Sequence, residues 1–125
     1  MKKVTSFFAL VFAFCLNLSA QKDTILQRII LIGDGGSLIN SRHPVTDAVK
    51  KLITLDKKTT ILFLGDNIYP AGLQDEELYN YNDGKAALDS QLSIADKTGS
   101  SIIMIPGNHD WDEGRRTGFE GILRE

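Results

Sequence analysis

The stretch Thr60-Ile61-Leu62-Phe63-Leu64-Gly65-Asp66-Asn67-Ile68-Tyr69-Pro70 decides how this chain is read. Its apolar run from Ile61 to Leu64 is too short for a lone helix and predicts a strand buried on both faces. The run passes through Gly65 into a carboxylate, so Asp66 stands at a strand's C-terminal end. Two other runs end alike: Arg28-Ile29-Ile30-Leu31-Ile32-Gly33-Asp34, and Ser101-Ile102-Ile103-Met104-Ile105-Pro106-Gly107-Asn108-His109-Asp110. In open α/β sheets, ligands collect in the crevice outside such ends. Three strands thus bring Asp, Asp and Asn-His-Asp to one edge.

Helical patterns fill the spaces between these strands. Ser41-Arg42-His43-Pro44 reads as a helix start with Pro44 at the first helical position. Val45, Ala48, Val49, Leu52 and Ile53 mark one face at helical spacing, and the second strand spans Thr59 to Gly65. Asp75-Glu76-Glu77 suits the first turn of a short helix. A second long helix is expected from about Gly84 to Lys97, with Ala87, Leu88, Leu92 and Ala95 inward and Gly99 as its stop. Strand, helix, strand, helix, strand is an α/β order with a parallel sheet and a right-handed crossover. After His109 a polar, glycine-punctuated loop leads to Phe119–Glu125, which reads as the beginning of a further helix.

The N-terminus carries a different signal. Met1-Lys2-Lys3, an apolar run from Phe7 to Leu16, and Asn17-Leu18-Ser19-Ala20 describe a secretory signal peptide over residues 1–20. The run is too short for a membrane span. A lipid anchor at Cys15 is the lesser alternative, because Phe14 is bulky where a lipoprotein signal needs a small residue. The expected product, residues 21–125, is exported to the periplasm, the cell envelope or the medium. Losing Lys2 and Lys3 but no acid moves the net charge from −2 to −4, twelve bases against sixteen acids. That balance offers no basic stripe for nucleic acid, and without Cys15 there is no disulfide framework. About 105 residues can bury one modest core.

Each motif has competing readings. Gly33-Asp34-Gly35-Gly36 is not a dinucleotide loop, since the third glycine of that spacing would fall at Leu38, and no Gly-Lys-Ser or Gly-Lys-Thr phosphate loop occurs. A single Asp-Gly turn is ordinarily only a turn; here the arrangement recurs at Gly65-Asp66 and again at Gly107-Asn108-His109-Asp110. Carboxylate and amide oxygens are hard ligands for divalent or trivalent metals, and a carboxylate can bridge two ions. His43, beside Pro44, reads as a surface or capping residue. Arg115 and Arg116 match phosphate oxygens chemically, but their loop reads as solvated surface. Trp111 is placed either as a wall of the site or as ordinary packing.

On these residues the chain resembles the N-terminal half of the calcineurin-like metallophosphoesterase domain, whose first blocks correspond in order to Gly33-Asp34, Gly65-Asp66 and Gly107-Asn108-His109-Asp110. Most of that family carries a histidine ligand where Gly36 stands. Together with Tyr69, three residues after Asp66, this departure resembles the purple acid phosphatase branch. The resemblance implies a layered βαβαβ sheet truncated before its C-terminal half. It also implies an exported di-metal phosphoester hydrolase acting through metal-bound hydroxide. Asp34 and Tyr69 would bind the first ion, Asp66 would bridge both, and Asn108 would bind the second. His109 would act as proton donor or phosphate contact, oriented by Asp110. A phenolate ligand favours ferric iron, paired with zinc, manganese or iron. The bland alternative for Tyr69 is packing beside Pro70. Further histidines expected of the family do not occur after His109, so the chain would carry only part of the site and be inactive alone. Two alternatives stay open: a di-metal phosphodiesterase or nucleotide hydrolase on the same scaffold, and a non-catalytic truncated module.

Overall fold

The computed structural model describes residues 24–123; the expected signal peptide and Cys15 lie outside them. Three strands, β1 (Arg28–Ile32), β2 (Thr59–Phe63) and β3 (Ser101–Met104), form one sheet in the order β1-β2-β3. Both pairings are parallel, with Ile30 beside Ile61 and Ile61 beside Ile102. The chain is therefore mixed α/β, as its element order predicts. Because the strands run parallel and in register, Asp34, Asp66 and the Gly107–Asp110 turn all leave the sheet at one edge.

Helix α1 (Pro44–Leu52) follows β1, α2 (Tyr81–Leu92) follows β2, and α3 (Arg116–Ile122) follows β3. Pro44 stands at the start of α1, where its missing N–H costs nothing. His43 caps that helix: its Nδ1 accepts from the Thr46 N–H at 3.2 Å. It is buried rather than superficial, so the capping half of its expectation holds and the surface half does not.

The core is smaller than the apolar strands suggested. Ile30, Ile32, Ile61, Phe63 and Ile94 form its centre, with Val49, Ile53 and Met104 packed against them. Ile68, Leu73 and Leu88 form a second cluster under the loop after β2. The opposite sheet face, carrying Ile29, Leu31, Leu64, Ile103 and Ile105, is exposed among the described residues. Burial on both faces is thus corrected to burial on one: alternate side chains point to opposite sides of a strand, and the described helices cover only one side.

Helix faces differ from the periodic reading as well. Thr46, Val49 and Ile53 face inward on or beside α1, whereas Val45 and Leu52 are exposed. The second long helix begins at Tyr81, three residues before the expected start, and gives way to a 3₁₀ turn at Ser93–Ala95. Leu92 is exposed and Gln91 buried, since Gln91 finds backbone carbonyls for its amide inside. Asp75–Glu77 forms turns, not a helix. Among the described residues no helix is long and apolar enough to cross a membrane.

Candidate metal centre

Asp34 and Asp66 occupy equivalent positions just beyond β1 and β2, and both have φ of 53°. A non-glycine residue rarely adopts this left-handed conformation, and such strain gathers where the surrounding structure over-determines a functional side chain. The two carboxylates converge on one phenol. Tyr69 Oη lies 3.0 Å from Asp34 Oδ1 and 3.1 Å from Asp66 Oδ2. The other oxygen of Asp66, Oδ1, accepts from the His109 N–H at 3.2 Å, so this carboxylate bonds the loops after β2 and β3 directly and meets the β1 end through Tyr69.

Close backbone approach makes this convergence possible. A Cβ on Gly36 would stand 2.8 Å from the Asp66 carbonyl oxygen, the Ile68 nitrogen and Tyr69 Cδ2. The Tyr69 ring therefore takes the space that a side chain at position 36 would need. A Cβ on Gly107 would collide with the Asp66 carboxylate and its amide nitrogen. Both glycines let one turn nest against the next.

Asp110 has a different job from the one expected. It is fully buried, and its carboxylate accepts from Asn67 N at 3.1 Å, Asn67 Nδ2 at 3.0 Å, Ile68 N at 2.9 Å and Gly107 N at 2.7 Å. All four donors belong to the loops after β2 and β3, so Asp110 ties those loops together. The His109 ring is oriented instead by the Pro70 carbonyl, 2.7 Å from Nδ1, and by an edge-on contact with Tyr69 at 4.6 Å between ring centroids. A carbonyl oxygen only accepts, so Nδ1 carries the proton and Nε2 of the neutral ring is a bare acceptor.

Asn108 is exposed in the same turn, and its carbonyl accepts from Glu113 N at 2.8 Å. No hydrogen bond joins its side chain to the Asp34–Asp66–Tyr69 group. Arg115 turns to its own loop, pairing with Asp112 at 3.1 Å and Glu113 at 3.8 Å. Trp111 stacks on Phe119 with centroids 6.4 Å apart, which is packing within its own segment. Sequence reading missed Gln91 and Asn67 altogether. Both are buried polar residues, each with a partner more than twenty residues away that no local spacing marks.

The donor set is oxygen-rich and hard, as magnesium, manganese or ferric iron would prefer. Among the described residues no group of three or more His, Cys, Asp or Glu side chains is placed to hold a metal ion; the cluster has two such carboxylates and a phenol. Its proton count nevertheless fits a cation. The phenol has one proton to share between two carboxylate oxygens, so one short oxygen–oxygen contact lacks a full hydrogen bond. A positive ion would relieve that repulsion. Without one, loss of water around the phenol, then its bonds to Asp34 and Asp66 and their negative charge, push the Tyr69 pKa up to about 12.

A cleft of about 450 Å³ opens beside the phenol, with Gly36, Ser37, Tyr69, Asp83 and Ala87 in its lining. A groove of about 550 Å³ lies toward the opposite, entry ends of the strands, beside Lys50, Thr54 and Thr98, away from these carboxylates. No family model matches the chain, and searches of curated proteins and of solved structures likewise found no match.

Proposed function

We propose that this chain is part of an exported di-metal phosphoester hydrolase of the purple-acid-phosphatase type, in a layered metallophosphoesterase-like domain. One observation carries the reading: Tyr69 sits between Asp34 and Asp66, in space that a side chain at position 36 would otherwise claim. The bare apolar sheet face supports a further layer, since parallel sheets are ordinarily covered on both sides.

In this reading Asp34 and Tyr69 would hold one ion, Asp66 would serve both, and Asn108 would serve the second. Two ions, when bound, supply Lewis acidity toward the phosphoryl group and a nucleophile for in-line hydrolysis. The chain's own contributions are positional. Asp110 fixes the loops that carry Asp66 and His109. Pro70 holds His109 Nδ1, so its Nε2 can donate to a leaving-group oxygen only from the imidazolium form. The cleft beside Tyr69 leaves room for the organic part of the ester.

Metal titration of the full chain, followed by calorimetry and by the nuclear resonances of Asp34, Asp66 and Tyr69, tests the proposal. Expected is weak binding of ferric or manganous ion, abolished by Asp66→Asn, with little phosphatase turnover because the chain supplies few ligands. Binding that Asp66→Asn leaves unchanged would remove the site from consideration.

A further inference from the structure

Two buried polar atoms without partners among the described residues lie beside Gly35, in the Asp34 turn. His43 is 3 % exposed and Gln91 fully buried, yet among the described residues His43 Nε2 and Gln91 Oε1 meet no hydrogen-bonding group. Both point at Gly35: a Cβ there would stand 2.8 Å from Gln91 Oε1 and 3.1 Å from His43 Nε2. Their chemistry is complementary. Because His43 Nδ1 accepts from Thr46 N, the neutral ring carries its proton on Nε2, which is a donor. Gln91 Nε2 donates to the Asn67 carbonyl at 2.6 Å and the Ala87 carbonyl at 3.3 Å, so Oε1 is the free acceptor.

Folded proteins seldom leave a buried donor and a buried acceptor both unpaired, and a single water between such groups satisfies both. We infer that His43 and Gln91 are joined through one buried water across Gly35, and that together they are positioning residues for the Asp34 and Asp66 turns. The chain of bonds runs from the α1 cap through His43, the water and Gln91 to the carbonyl of Asn67. Asn67 lies between Asp66 and Tyr69, and the Tyr69 N–H donates to the Gly36 carbonyl at 3.4 Å, which closes the circuit between the two turns. A side chain at position 35 would crowd Gln91 Oε1 and His43 Nε2, the two ends of the inferred bridge. The consequence for metal binding rests on the proposed function; the bridge itself does not.

Amide hydrogen exchange in the metal-free full chain, read at Tyr69, tests the inference. His43→Asn is the informative variant, because asparagine still caps a helix but has no atom in the place of Nε2. Gln91→Met keeps the volume and removes the acceptor. Each is expected to speed Tyr69 exchange about tenfold, the double variant no further, while β1 amides stay protected. Long-range proton–nitrogen spectra should show the His43 proton on Nε2, with a magnetisation-transfer contact to a long-lived water. Wild-type Tyr69 exchange in His43→Asn, or single effects that multiply in the double variant, would overturn the coupling and leave His43 a cap alone. Failure of metal to bind, with exchange still coupled, would defeat the metal-centre reading and not this one.

Discussion

Tyr69 and Asp34, 35 residues apart in sequence, share a hydrogen bond of 3.0 Å at the carboxyl edge of the sheet. Between the two residues lie α1 and β2, so the bond exists only because the parallel pairing of β1 with β2 places two loops side by side. Tyr69 is thereby held in reach of both carboxylates.

Replacing this phenol is the most direct probe. In iron-loaded protein, a phenolate ligand gives a visible charge-transfer band, and Tyr69→Phe should abolish it while changing ring volume little. In the metal-free chain the Tyr69 pKa, pushed up to about 12 from 10.0, means that the folded state holds the proton more tightly than the unfolded state. That contribution to stability is fully present below pH 10 and is lost as pH rises through 12. Ultraviolet titration of wild type against Tyr69→Phe should reveal one tyrosine missing from the late phase; titration of that tyrosine near 10 would contradict the geometry.

Asp110→Asn should be costly. An amide presents a donor where several N–H groups already point, and the loss of a buried charged acceptor is worth about 3 kcal/mol. Denaturant unfolding measures it. A change below about 0.5 kcal/mol, the usual scale for an indifferent surface site, would mean that the carboxylate does not tie the two loops.

Gly36→Ala and Gly33→Ala separate close approach from general loop tolerance. Nothing lies within 4 Å of a Cβ at Gly33, whereas one at Gly36 meets the Asp66 carbonyl, the Ile68 nitrogen and the Tyr69 ring at 2.8 Å. Gly36→Ala is expected to lose about 2 kcal/mol by overpacking, and Gly33→Ala to stay within about 0.5 kcal/mol. Equal effects from thermal unfolding would show that the turns do not nest as described.

The two sheet faces predict opposite sensitivities along one strand. Ile32 is 3 % exposed and Leu31 is 60 % exposed. Ile32→Ala should cost about 3 kcal/mol by opening a cavity, while Leu31→Lys should leave the stability of the isolated chain almost unchanged and raise its solubility. A large loss from Leu31→Lys would show that something covers that face in solution.

Periodicity and punctuation alone determined the order of strands and helices, the parallel sheet, the start of α1 at Pro44, and the placing of Asp34 and Asp66 at strand ends. These follow from short-range chemistry: apolar runs of strand length, proline's missing donor, and turns of glycine and aspartate. Only the tertiary structure decided that one sheet face is covered, that Gln91 rather than Leu92 turns inward, that Asp110 ties loops instead of orienting His109, and that Tyr69 lies between two carboxylates. Each of these depends on contacts between residues distant in sequence. The Asp110 carboxylate meets amides 42 and 43 residues before it, and the Gln91 amide meets a carbonyl 24 residues before it. Such pairings arise where loops pack together, and residue spacing along the chain carries no record of them.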